Sequence, residues 1–181
     1  LGLGLRLLAW RWHELYDLGG DEREYFNQAL ILLRDHVYVE LNLMRPPLYT
    51  GFLAACMYLF DSLVQRLRLV QAIISALTVV PIYLLTRQLF GRRVGLVAAL
   101  LAALSYTLAA HATELLTETL FVFGLATLFW LLLRPTTANS SPVVGRRRPM
   151  VWPLLAGLNL GALALLRSVA LPLLPLGALW L

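Results

Sequence analysis

The sequence predicts an all-α fold, a polytopic transmembrane helical bundle with juxtamembrane helices in its first extracytoplasmic loop. Three observations carry that prediction. Hydrophobic residues make up 60% of the chain and charged residues 14%, against about 45–50% and about 25% in soluble domains; mean hydropathy is +0.74. Several apolar stretches approach the ~20 residues that cross a bilayer as a helix. Arginines gather in short loops between those stretches, the pattern that orients membrane helices.

This composition excludes an ordinary soluble domain. The net charge of +5 comes entirely from Arg, since the chain has no Lys. That balance is accounted for by loop orientation and gives no reason to expect nucleic acid. The single Cys56 excludes a disulfide within the chain. Leu, Ala and Arg in place of Lys fit a GC-rich bacterium. The chain begins inside one apolar run, "LGLGLRLLAW", and ends inside another, "LPLLPLGALWL"; it reads as the N-terminal part of a longer protein, residues 1–181 forming part of one domain.

Residues 1–10 read as the end of a first span. Residues 11–68 read as an external loop with surface helices, polar over 11–45. Within it, 24–34 is amphipathic, with Tyr25, Phe26, Ala29, Leu30 and Leu33 on one side. The pair Pro46-Pro47 suits a helix start, and the apolar run after it is short for a crossing. Clearer spans follow at 69–89, 94–110, 115–133 and 151–166, and 170–181 begins another. The stretch "RPTTANSSPVVGRRRP" between two of them has the composition of a loop.

Arg87, Arg92 and Arg93 share one short loop; Arg134, Arg146, Arg147 and Arg148 share another. Two spans separate these loops, so both are expected on the cytoplasmic side. The turn "HATE" at 111–114 then faces outward, and the first span delivers residues 11–45 outside. Parity requires that 46–60 lie along the outer surface without crossing.

That topology brings Asp21, Glu22, Glu24, Glu40, Arg45, His111, Glu114, Glu118 and Arg167 to the outer face. On a continuous helix His111, Glu114 and Glu118 share a face, at spacings of three and four. Three readings of them compete: they line a substrate cavity, they hold a divalent metal, or they are acids favoured by a helix N-terminus. Asp21 and Tyr25 share a helix face, and Glu22 points about 100° away. Asp21 is either a general base for an acceptor hydroxyl or amine, or a first-turn acid after Gly19-Gly20. Arg167, between apolar runs, either snorkels to the interface or serves a site.

The elements "GDEREY", "RPPLYTGFLA", "RLRLVQAIISALTVVPIYLLTRQLFGRRVGLVAALLAAL" and "LLTETLF", in that order, resemble membrane glycosyltransferases of the GT-C fold. The similarity is to the dolichyl-phosphate-mannose–protein mannosyltransferase superfamily and the aminoarabinose transferases of lipid A, over roughly residues 1–170.

The resemblance implies inverting transfer of a sugar from a polyprenyl-phosphate donor to a lipid, glycan or protein acceptor, at the outer face of a bacterial plasma membrane. It implies that Asp21 activates or positions the acceptor, with Glu22 and Tyr25 completing the motif. The family's second acid stands just before the proline pair. Here Met44 precedes Arg45-Pro46, and Glu40 is the nearest acid. Glu118 matches an acid at the outer start of a later span, and Arg167 a basic residue near the carrier phosphate; Arg45 is a second candidate for that phosphate. Donor, acceptor and membrane lipids are the expected partners, and a divalent metal is an open possibility. Two alternatives are a transporter or flippase, whose charges would lie near mid-span, and a non-catalytic protein of the same fold.

Overall fold

The computed structural model describes residues 2–13, 18–38, 45–137 and 151–180. Every regular element among them is a helix. Helix α1 (Gly2–His13) lies against α4 (Val64–Leu77), tied near its end by the Trp10 indole N–H donating to the Gln65 carbonyl at 2.9 Å.

Helix α2 (Gly20–Asp35) extends the amphipathic segment backward to Gly20. Gly20 takes φ +39°, a region open to glycine. Glu22, the third helical residue, reaches back to the Gly19 N–H at 3.4 Å, half of a capping box. Asp21 and Glu22 sit in the first turn and Arg34 in the last, matching the helix dipole. Tyr25 and Ala29 are buried, and Phe26, Leu30 and Leu33 pack beside them, which is the face expected from the sequence.

Helix α3 (Pro47–Phe60) starts at the proline pair as expected: Pro46 is extended, and Pro47 opens the helix where its missing N–H costs nothing. Tyr49, Leu53 and Met57 are buried against α2 and α4. The next span begins at Val64 and not at 69. Helices α4 and α5 (Val79–Phe90) form one apolar rod over Val64–Phe90, broken at Thr78. The break follows from Pro81, whose ring opposes the carbonyl four residues back. Among the described residues this rod is the one helix long and apolar enough to cross a membrane.

The segment expected as one span over 94–110 is two helices, α6 (Arg92–Leu104) and α7 (Tyr106–His111). Ser105 between them is extended and caps α7, accepting the Leu108 N–H at 3.4 Å. Helices α5 and α6 form a close hairpin. A Cβ at Gly95 would stand 3.0 Å from the Arg87 Cβ, so the approach depends on glycine.

Helix α8 (Glu118–Thr137) starts three residues later than expected. It packs on α9 (Val151–Leu166), a helix over the residues read from the sequence as 151–166. A 3-10 turn at Ser168–Ala170 leads into α10 (Leu173–Trp180). One core joins Tyr25, Tyr49, Leu53, Leu67, Leu115 and Leu166; another joins Leu128, Leu131, Leu160 and Leu163. The first core lies directly beneath the polar cluster at the start of α2.

Candidate active site

Arg45 organises the cluster at the start of α2. Its guanidinium pairs with Asp21 at 2.9 Å and with Glu24 at 2.5 Å, and lies over the Tyr25 ring, 4.8 Å from its centroid. The Tyr38 hydroxyl donates to the Arg45 backbone carbonyl at 2.7 Å. The sequence causes are local. Asp21, Glu24 and Tyr25 fall at helical spacings of three and four on α2, and Pro46, itself extended, holds Arg45 out of the helix at the mouth of α3. The Arg45 side chain is only 17% exposed, whereas Asp21 is 66% and Glu24 55% exposed. Two reachable carboxylates therefore flank a half-buried cation.

Glu22 faces the other way, as the 100° offset requires. Its Oε1 accepts the Leu115 backbone N–H at 2.7 Å and faces the Arg68 guanidinium at 3.3 Å. Arg68 is buried. Three residues further along α4, Gln71 donates to the Tyr49 hydroxyl at 3.0 Å and the Leu116 carbonyl at 2.9 Å. Tyr49 in turn meets Tyr25 edge-on, with centroids 4.8 Å apart. This layer joins α2, α3, α4 and the turn before α8, and it supports the Arg45 cluster from below.

The expected helix face of His111, Glu114 and Glu118 does not form, because residues 112–117 turn. The reason is an exchange of backbone partners. In a continuous helix the Leu115 N–H would donate to the His111 carbonyl. Here Glu22 takes that N–H, and the Thr119 hydroxyl donates to the His111 carbonyl at 3.0 Å. His111 and Glu114 still pair across the turn at 3.1 Å. Glu118 instead opens α8 and accepts from Arg167 at 2.9 Å. Arg167 also lies over the Phe121 ring, 5.9 Å from its centroid.

Tyr25 lies between these groups. Burial pushes its hydroxyl above the usual tyrosine range; Arg45 and Arg167 act to lower it, while Asp21 and Glu118 raise it further. The field of both ion pairs thus reaches one phenol. The structure brings Asp21, Tyr25 and Arg45 together, with Pro46 fixing the last, and sets Glu118 with Arg167 nearby. It separates Glu22 onto the layer below and leaves His111 and Glu114 as a pair of their own. Glu40 lies outside the described residues, as do Arg146, Arg147 and Arg148. Among the described residues no three His, Cys, Asp or Glu side chains converge in a way that would hold a metal.

Sequence reasoning missed Arg6, Arg68 and Gln71 as organising residues. The signal existed: each is a polar side chain inside an apolar helical run, a position that is costly unless satisfied.

The chain matches a solved structure of the Archaeoglobus fulgidus oligosaccharyltransferase, crystallised tethered to an acceptor peptide, with a TM-score of 0.69 and 18% identity. The match covers 91% of this chain and 24% of that protein, so the chain spans about a quarter of its length. The shared fold is the GT-C bundle of integral membrane proteins. No curated protein matches the sequence. The family model described as dolichyl-phosphate-mannose-protein mannosyltransferase matches residues 44–181, the stretch from just before the proline pair through α10. On that match the chain belongs to the dolichyl-phosphate-mannose-protein mannosyltransferase family.

Proposed function

We propose that the protein transfers a sugar from a polyprenyl-phosphate donor to an acceptor on the extracytoplasmic face of a bacterial plasma membrane, inverting the anomeric centre. The observation that carries this reading is the Arg45 cluster: an exposed carboxylate, Asp21, held by a cation on an aromatic ring beside the Glu118–Arg167 pair. Asp21 is reachable by an acceptor, and Glu22 is not, at 12% exposed with its oxygens engaged by Leu115, Arg68 and Gly19.

In the transfer, Asp21 takes the proton of the acceptor hydroxyl or amine as that atom attacks the anomeric carbon. The bond from that carbon to the carrier phosphate breaks on the opposite side, and the phosphate leaves with the electron pair. Arg167 and Arg45 are the cations suited to it, because a guanidinium can donate two hydrogen bonds to phosphate oxygens. A phosphate is a good leaving group, so stabilising its charge matters more than protonating it. Glu40 is the candidate second acid, and His111 and Glu114 are candidates for binding acceptor or sugar hydroxyls. Among the described residues no metal-holding cluster converges, and no step is assigned to a metal.

The acceptor is a lipid, a glycan or a protein; the peptide bound by the archaeal oligosaccharyltransferase supports including protein. A transporter reading draws on charges within the bundle. Arg6 and Arg68 are such charges, yet Arg6 is bound by backbone carbonyls and a serine, and Arg68 by Glu22, which suits a structural role better than a transport path. The test is transfer by the full-length protein in membranes, given radiolabelled polyprenyl-phosphate sugars and an envelope acceptor extract. Label passing from carrier to acceptor is the expected result. A carrier that stays intact with every sugar and acceptor tried would overturn the reading.

A further inference from the structure

Arg6 is the most deeply buried charge among the described residues, with no measurable exposure. Among the described residues it faces no carboxylate within ion-pair distance. Its Nε donates to the Ser75 hydroxyl at 2.8 Å, one terminal nitrogen to the carbonyls of Gly2 at 2.9 Å and Ala103 at 3.1 Å, and the other to the Ala102 carbonyl at 3.3 Å. Ala102 and Ala103 belong to the last turn of α6; the helix breaks at Ser105, whose N–H reaches the Ala102 carbonyl only at 3.4 Å, so the end of the helical ladder takes further donors. The C-terminus of a helix also carries partial negative charge. The guanidinium therefore supplies both the donors and the positive charge that the broken end requires. In hydrocarbon such a break is tolerated only where its backbone groups are satisfied by protein.

The bond to Ser75 extends the effect. Ser75 donates onward to the Leu108 carbonyl in α7 at 2.9 Å. Helix α7 ends on His111, whose carbonyl accepts from Thr119 one residue past Glu118. Ser75, Leu108, His111, Glu118 and Thr119 line one small recess. A chain of contacts thus runs from Arg6, in a different helix, to the turn before α8.

We infer that Arg6 is a positioning residue for the transfer site: by clamping the α6–α7 break it sets the placement of His111, Glu114 and Glu118. The inference rests on the proposed transferase reading for its functional meaning, but not for its structural test.

That test uses the full-length protein in membranes, with Cys56→Ala and one reporter cysteine. Glu114→Cys reports the outer turn, and Asp61→Cys, in the loop between α3 and α4, reports a distant part of the same face. Each is labelled with a membrane-impermeant maleimide. Arg6→Met is expected to change the labelling rate at position 114 by about 5-fold or more, while position 61 stays within about 2-fold. Ser75→Ala shifts position 114 in the same direction, and Arg6→Lys, which keeps the charge but loses the fork, falls between. Without reporter cysteines, Arg6→Met lowers kcat for transfer about 10-fold or more, with the donor KM within about 3-fold and partial recovery in Arg6→Lys. Parallel changes at both cysteines would mean that Arg6 only holds the fold, and no change at either would mean that it positions nothing; each result overturns the inference. A shift at position 114 in a protein that never transfers sugar would sink the transferase reading and leave the positioning role standing.

Discussion

The carboxylate of Glu22 accepts the backbone N–H of Leu115 at 2.7 Å, across 93 positions of sequence. That one bond ties α2 to the turn before α8, and it takes the donor that would have continued α7 into α8. The same oxygen faces the buried Arg68 at 3.3 Å. Glu22 thereby fixes the two halves of the candidate site relative to each other.

Glu22→Ala removes the acceptor for Leu115 and the carboxylate facing a buried guanidinium. Losing one partner of a buried pair costs about 3 kcal/mol, so this variant should accumulate poorly and melt earlier in detergent. Glu22→Gln keeps an oxygen for the Leu115 N–H and should lie between. Thermal unfolding of both, followed by size-exclusion fluorescence, checks the order; a Glu22→Ala protein as stable as the unsubstituted one contradicts it.

Tyr25 supports Arg45 with its ring. Tyr25→Phe keeps that face and should leave transfer within about 3-fold, whereas Tyr25→Leu removes a cation–π contact of about 0.5–2 kcal/mol and should weaken transfer by about 2- to 30-fold. Initial rates at subsaturating donor distinguish the two substitutions.

Part of the alkaline pH dependence of stability follows from the raised Tyr25 hydroxyl, beside that of the more deeply buried Tyr49. The folded protein holds that proton to higher pH than the unfolded chain, whose tyrosine titrates near its ordinary value of about 10. Between those two values the unfolded state binds fewer protons, so stability falls as pH rises. Below pH 9 the contribution is fully present and constant; above about pH 10 it is lost. Melting temperatures from pH 7 to 11 should fall less steeply at the alkaline end for Tyr25→Phe than for the unsubstituted protein.

Much of this architecture is legible in the sequence, and the reasons for the rest are physical. The proline pair, the amphipathic face of α2 and the helix α9 are set by local rules, and each stands where those rules put it. The Asp21–Tyr25 face and the opposite direction of Glu22 follow from helix spacing alone. The 111–118 segment defeats such reasoning because its helix is interrupted by a partner 93 positions away; no local signal encodes that exchange. The break at Ser105 likewise finds donors for its carbonyls on Arg6, from another helix. Isolated arginines in apolar runs did carry a signal, but it identifies a residue that must be satisfied without naming the groups that satisfy it.

Arg167 pairs with Glu118 on the side assigned to the leaving phosphate. Arg167→Ala should raise the KM for the polyprenyl-phosphate donor about 10- to 100-fold, the value of a hydrogen bond to a charged group. Arg167→Lys should recover part of it. Steady-state kinetics over a donor series would show this, and an unchanged donor KM in Arg167→Ala would remove Arg167 from phosphate binding.

The most direct measurement of the account's central claim is transfer by the full-length protein carrying Asp21→Asn, which keeps size and removes the base. The account predicts a loss of about 100-fold or more in the rate of label reaching the acceptor, with the melting temperature close to that of the unsubstituted protein because Asp21 is exposed. An Asp21→Asn protein that transfers sugar at an undiminished rate would contradict it and move the base to another carboxylate, with Glu24 and Glu40 the next to be replaced.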